Sequence, residues 1–244
     1  MPDLRILQPD SDPPRLLQLL EEGPPRRAEG RPWVMANMVA SLDGRAEVAG
    51  RSGRLGGPLD RTMFQALRAV ADAVLVGART VRAERYRPLR LAPELREMRR
   101  SAGLRADPLL AVLSHSLDLP EDTGLLDDPD GLVVLAGADA PAKPMRRLRD
   151  AGVRVEQPDT GGPAGAIDHL YREGSAVVLT EGGPSVLADI VGERRLDELC
   201  LTLAPHLLGR GLPLLDGLEP DQPAWRLHRC WSAADDLFLG YLRA

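Results

Sequence analysis

The sequence predicts an α/β fold on a central mixed sheet flanked by helices, with antiparallel strands at its C-terminal edge. Three observations carry that reading. Short apolar runs alternate with helix-like segments through most of the chain, the pattern of strands joined by helical crossovers. Strand-like runs then follow one another near the C-terminus, as an antiparallel edge requires. With 244 residues, 43% of them hydrophobic, the chain is long enough to bury a sizeable core without disulfides or metals.

The elements follow in order. Met1 to Gly30 reads as an N-terminal appendage in which Pro13 to Glu22 has the caps and spacing of a short helix. The compact domain is expected over residues 31–244. Trp33 to Val39 (WVMANMV) reads as a buried strand, and Gly44 to Gly57 as a glycine-rich loop. A helix starts at Pro58, a favoured first helical position, with Met63, Leu67 and Val70 on its apolar face. Ala73 to Gly77 is a second buried strand and Arg79 to Glu84 a brief helix. Tyr86 to Asp107, rich in proline and arginine, reads as a long excursion. Strands are expected at Leu109–Leu113, Leu132–Leu135 and Val153–Val155, with a helix over Met145 to Ala151. Gly161-Gly162-Pro163 reads as a turn. Ala176–Thr180 is a buried strand, and Pro184 to Val191 a helix that turns Val186, Leu187 and Ile190 inward. Glu198–Leu203, Ala224–Cys230 and Leu237–Leu242 read as the late strands.

Several functions are excluded. A formal net charge of −5 without like-charge runs argues against a broad basic face for nucleic acid. Aromatic residues, at 3%, are too few for base-stacking platforms. No apolar run approaches the roughly 18–20 residues of a membrane span. Met1 to Pro14 lacks an apolar signal core, so the cytoplasm is the expected compartment. Cys200 and Cys230 are too few for a disulfide scaffold, and the scattered His115, His169, His206 and His228 lack ligand spacing, so no metal site is expected. The only lysine is Lys143, which rules out a P-loop. The hydrolase elbow G-x-S-x-G, the dinucleotide turn G-x-G-x-x-G after a strand, and the zinc-deaminase signature are also absent.

Three segments carry site chemistry. Ser41-Leu42-Asp43-Gly44 ends the first strand with a hydroxyl and a carboxylate, at the edge where open α/β sheets bind ligands. The same residues also read as a plain turn. Thr180-Glu181-Gly182-Gly183-Pro184-Ser185 runs from a buried strand through two glycines into a helix. Amides at such a helix start suit a diphosphate, which leaves Glu181 to address substrate; a tight strand-to-helix turn is the other reading. Val74 to Arg82 (VLVGARTVR) has the same strand, glycine and helix order, with Thr80 either touching phosphate or capping.

RPWVMANMVASLDG, LRAVADAVLVGARTVRAE, VVLTEGGPSVLADIV and LDELCLTLAPHLLGRG occur in that order. Together they resemble the reductase domain of the riboflavin-biosynthesis deaminase-reductase, including its stand-alone versions, over roughly Arg31 to Ala244. The resemblance implies a dihydrofolate-reductase-like fold, a homodimer, and NADPH as hydride donor. It implies reduction of 5-amino-6-(5-phosphoribosylamino)uracil to its ribityl form. Val39, Arg54, Thr80, Glu84, Ser114 and Gly183, Pro184, Ser185, Val186 and Leu187 would then lie along NADPH. Ser52, Arg68 and Glu181 would face substrate, with Asn37 and Asp43 lining the cleft and Asp43 and Glu181 favouring a cationic imine by charge. Arg79 and Arg82 are placed to reach a 2′-phosphate.

The chain departs from the family pattern in places. Asn37 stands where many bacterial members have lysine, Gly56-Gly57 where a serine or threonine is frequent, and Ala83-Glu84-Arg85-Tyr86-Arg87-Pro88 where A-D-D-P-x-L is usual. A subgroup sharing the ANxxxSLDG and LTEGGP segments is more similar, and some of its members reduce dihydrofolate-like pterins. Dihydropterin reduction and a non-catalytic nucleotide-binding module are thus the alternative readings. A homodimer is also expected because Glu198–Leu203 reads as an exposed apolar edge that needs covering.

Overall fold

A computed structural model describes residues 30–48, 50–120, 122–215, 217–218 and 223–244. The short helix expected over Pro13 to Glu22, and all of the expected appendage except Gly30, lie outside the described residues. The strands are β1 (Trp33–Ser41), β2 (Ala73–Gly77), β3 (Leu109–Ser114), β4 (Leu132–Ala136), β5 (Arg154–Glu156), β6 (Val177–Thr180), β7 (Glu198–Ala204), β8 (Trp225–Ala233) and β9 (Asp236–Arg243). The α-helices are α1 (Pro58–Val70), α2 (Ala78–Ala83), α3 (Pro93–Ser101), α4 (Ala142–Asp150), α5 (Gly162–Arg172) and α6 (Pro184–Gly192).

These strands form one sheet in the order β5-β4-β3-β2-β6-β1-β7-β9-β8. Every pairing from β5 to β7 is parallel, and β9 is antiparallel to both β7 and β8. The chain runs outward from β1 to β5, then returns to insert β6 between β2 and β1. Right-handed crossovers place helices on one face while the chain moves outward and on the other when it returns. Accordingly Leu67 and Val70 of α1, Val81 of α2 and Leu148 of α4 share one core with Met35, Val74, Val76 and Val112. Ala166, Ile167 and Leu170 of α5 and Val186, Leu187 and Ile190 of α6 fill the opposite core.

The amino ends of β1 and β7 and the carboxyl end of β9 are tied by one buried carboxylate. Asp197 accepts the Arg31 guanidinium at 2.6 and 2.5 Å, the Val34 amide at 2.9 Å and Arg243 at 3.1 Å. The hydrogen bonds to Asp197 hold Arg31 above its usual pKa, against the opposing effect of burial.

Two expectations for the elements are corrected. The excursion after Tyr86 contains α3, whose single buried residue is Arg99, so no apolar stripe announces it. Gly161-Gly162-Pro163 does not stay a turn but opens α5, with Pro163 in its first turn. A Cβ on Gly165 would lie 1.8 Å from the Thr160 carbonyl oxygen, so this close-set helix start requires glycine. A third correction concerns β7, which is no edge: it pairs with β1 and β9, and the sheet edges are β5 and β8.

Candidate functional site

Insertion of β6 between β1 and β2 brings the three sequence motifs to one end of the sheet. Thr180 is level with Ala36 of β1 and Leu75 of β2, so Asp43, Thr80 and Glu181 all follow the carboxyl ends of neighbouring strands. That is the side where open α/β sheets bind ligands. The turns after β2 and β6 are in contact: the Gly183 amide donates to Thr80 Oγ1 at 3.0 Å. A Cβ on Gly183 would lie 3.0 Å from that oxygen, and one on Gly182 would lie 2.9 Å from Val186 Cγ1. A side chain at either position would thus crowd this close-set pair of turns, Gly183 against Thr80 and Gly182 against Val186 and the Gly77 amide nitrogen. No side chain caps α6, whose first residue is proline, and uncapped first-turn amides of this kind could hold an anion. Val186 and Leu187 are buried, so only their backbones can address a ligand.

Below that turn sits a buried ion pair. Arg68, in the last turn of α1, donates Nε to Glu181 Oε1 and Nη2 to Glu181 Oε2, each at 2.7 Å. The side chains are 13% and 2% exposed. Tyr86 donates its hydroxyl to Glu181 Oε2 at 2.8 Å. The Phe64 ring lies 4.1 Å and the Tyr86 ring 5.8 Å from the guanidinium carbon. Burial works against the Arg68 charge, but the Glu181 carboxylate outweighs it and keeps Arg68 protonated beyond the usual arginine range. Burial, reinforced by the Glu181 charge, pushes the Tyr86 phenol well above its ordinary value, so it is a neutral donor at physiological pH.

The remaining positions divide into those the fold joins and those it sets apart. Asp43 accepts the Ser41 hydroxyl at 2.6 Å and the amides of Leu208 and Gly209 at 3.1 and 2.7 Å. The Ser41 bond and those amides lower its pKa to about 2. Asp43 is thus an anion at neutral pH. Ser52 and Glu84 form one unit: the Ser52 amide and hydroxyl donate to Glu84 Oε1 at 2.7 and 2.9 Å. Asn37 is buried on β1, level with Cys200 of β7, and Val39 is half-buried further along the same strand. Arg54 is exposed in a short 3-10 turn over Ser52–Arg54. Ser114 is buried at the end of β3, where its hydroxyl accepts the Leu117 amide at 3.0 Å.

Three residues of this site were invisible as site residues in the sequence. Phe64 and Tyr86 flank Arg68. Arg99, 1% exposed, donates Nη1 to the carbonyls of Ala69 and Ala71 at 2.8 and 2.6 Å and so caps the α1 turn that carries Arg68. A buried arginine at the end of a helix also suits the helix dipole.

Comparison with known proteins bears on the family and the fold. The profile of the RibD C-terminal domain family matches residues 32–239. A 2,5-diamino-6-ribosylamino-4(3H)-pyrimidinone 5′-phosphate reductase from Archaeoglobus fulgidus is 29% identical over 181 residues, 73% of this chain and 83% of that protein. The riboflavin biosynthesis protein RibD of Chlamydia muridarum is 30% identical over 80% of this chain, but the match spans only 52% of that longer protein. Among solved structures, a pyrimidine reductase-like protein from Corynebacterium diphtheriae superposes with a TM-score of 0.81 at 28% identity, covering 87% of this chain and 92% of that one. The dihydrofolate-reductase-like fold is supported by Enterococcus faecalis dihydrofolate reductase, which superposes with a TM-score of 0.52 at 15% identity, covering 86% of this chain and 96% of that one.

Proposed function

The chain belongs to the RibD C-terminal domain family, and from that premise we propose that it is an NADPH-dependent reductase of riboflavin biosynthesis. The substrate is a 5-amino-6-ribosylaminopyrimidine 5′-phosphate, whose ribosyl group is reduced to ribityl. The observation that carries this reading is the match to a stand-alone reductase over 83% of that protein's length, and the meeting of the strand-end motifs at one end of the sheet supports it. The uracil form expected from the sequence and the 2,5-diamino form in the name of the archaeal relative differ at ring position 2, and both belong in the test.

The residues present fit a nicotinamide dinucleotide. The uncapped start of α6, the close-set Gly182 and Gly183, and Thr80 form a phosphate cradle. Arg82 is tied to the Asp118 carbonyl at 2.6 Å, whereas Arg79 is exposed beside the same turn and supplies the charge for a 2′-phosphate. The nicotinamide, when bound, supplies a hydride. Arg68, held by Glu181, would offer its remaining donor to the oxygens of the substrate. Asp43 supplies fixed negative charge at the β1 end. In the ring-opened substrate the imine carbon of the sugar gains the hydride and its nitrogen gains a proton.

Purified protein tested for NADPH oxidation with the two pyrimidine phosphates and dihydrofolate side by side should consume cofactor with at least one pyrimidine phosphate. Turnover of dihydrofolate alone would replace this reading. The protein is also proposed to be a homodimer. With β7 not an edge, the support is a different surface: Leu199, Leu201 and Leu203 of β7 are level with Tyr241, Leu239 and Leu237 of β9, a half-exposed apolar face. Among the described residues no helix is long and apolar enough to cross a membrane.

A further inference from the structure

We propose that Tyr86 is a positioning residue of the reductase site, holding Glu181 and through it Arg68 in the orientation that meets substrate. The inference rests on the reductase reading above. Tyr86 follows α2 in a helix-ending turn: its amide donates to the Val81 carbonyl at 3.0 Å, and Arg85 before it takes a left-handed φ of 54°. A residue at this place ordinarily turns an apolar side chain onto the helix it closes, and the Tyr86 ring does pack against the core. Phenylalanine would serve that purpose equally well. The hydroxyl is what packing leaves unexplained, and it donates to Glu181 Oε2 at 2.8 Å.

That bond completes a defined geometry. Oε2 accepts from both Tyr86 and Arg68 Nη2, while Oε1 accepts from Arg68 Nε. The carboxylate is thus fixed by three donors from two directions, and the guanidinium it grips keeps Nη1 free of Glu181. The chain has only two phenylalanines and three tyrosines, yet one of each flanks this arginine. Without the phenol, the Glu181 carboxylate keeps only its bonds to Arg68, and the pair can rotate together out of this orientation.

The test is Tyr86→Phe, which removes the hydroxyl and keeps the ring. The kcat/KM for the pyrimidine phosphate should fall about 10-fold, the lower end for a hydrogen bond to a charged group. The NADPH Kd and the thermal midpoint should stay close to wild type. Added to Glu181→Gln, Tyr86→Phe should cost little more, because both remove the same hold. A second readout needs no turnover: the Arg68 Nε–H resonance, identified by its loss in Arg68→Lys, should move in Tyr86→Phe. An unmoved resonance, or losses that add independently in the double variant, would overturn the proposal. If wild type reduces neither pyrimidine phosphate, the reductase reading fails, while the resonance still decides whether Tyr86 holds the pair.

Discussion

Arg68 and Glu181 lie 113 residues apart in the chain and meet as a bidentate pair. Burying two charges is costly, and the cost is offset only when the geometry is good and the remaining polar sites are satisfied. The two 2.7 Å bonds and the Tyr86 hydroxyl meet that condition. They also revise the role of Glu181. Its charge is matched by Arg68, so in the proposed reading it orients that arginine more than it attracts a cationic imine. Glu181→Gln keeps the side-chain size but presents one acceptor where the guanidinium fork needs two. A hydrogen bond of this kind is worth about 1.5–3 kcal/mol, so kcat/KM should fall on the order of 10- to 100-fold. NADPH affinity should change little, because in the proposed reading the α6 amides, not this carboxylate, meet phosphate. Steady-state kinetics with a cofactor-binding titration checks both parts; loss of NADPH binding with substrate handling intact would exchange the two half-sites.

At the scale of elements, most strands were legible because short apolar runs bounded by turns signal burial directly. The helices that escaped were those whose burial is not apolar or whose start looks like a turn. PELREMRRS in α3 buries only Arg99, and GPAG at the head of α5 carries turn residues where the structure needs closeness. For the site, the strand-end motifs were legible, since Asp43, Thr80 and Glu181 each follow a strand. Their partners were not: nothing local to Glu181 announces Arg68, and Tyr86 sits in a segment whose prolines and arginines conceal its turn. Asp43 adds a feature only the fold reveals, the pinning of Leu208 and Gly209 to the end of β1. Its folded pKa of about 2 lies below the roughly 3.9 of an unfolded aspartate, so its stabilising effect is present above about pH 4. That effect is lost as the pH falls toward 2. Denaturant unfolding of wild type and Asp43→Asn between pH 2 and 6 should therefore show a gap that closes at the acid end. A gap independent of pH would remove the carboxylate's charge from the explanation.

Over the whole molecule, the return of β6 between β2 and β1 is decisive, since it gathers at one end of the sheet segments that the sequence keeps far apart. The same sheet continues into β7, β9 and β8, whose leucine-bearing face is the surface proposed to pair two subunits. Light scattering at micromolar concentration should give about twice the chain mass of 26.4 kDa, and Leu201→Glu should reduce it to one chain. A wild-type mass of one chain would sink the dimer without touching the reductase assignment. The central claim is hydride transfer to the sugar carbon of a ribosylaminopyrimidine phosphate. NADPH deuterated at the transferable position of its nicotinamide tests it most directly, with the product read by mass spectrometry. The account predicts one deuterium on the former anomeric carbon of the ribityl product; cofactor oxidation that leaves the product without deuterium would contradict it.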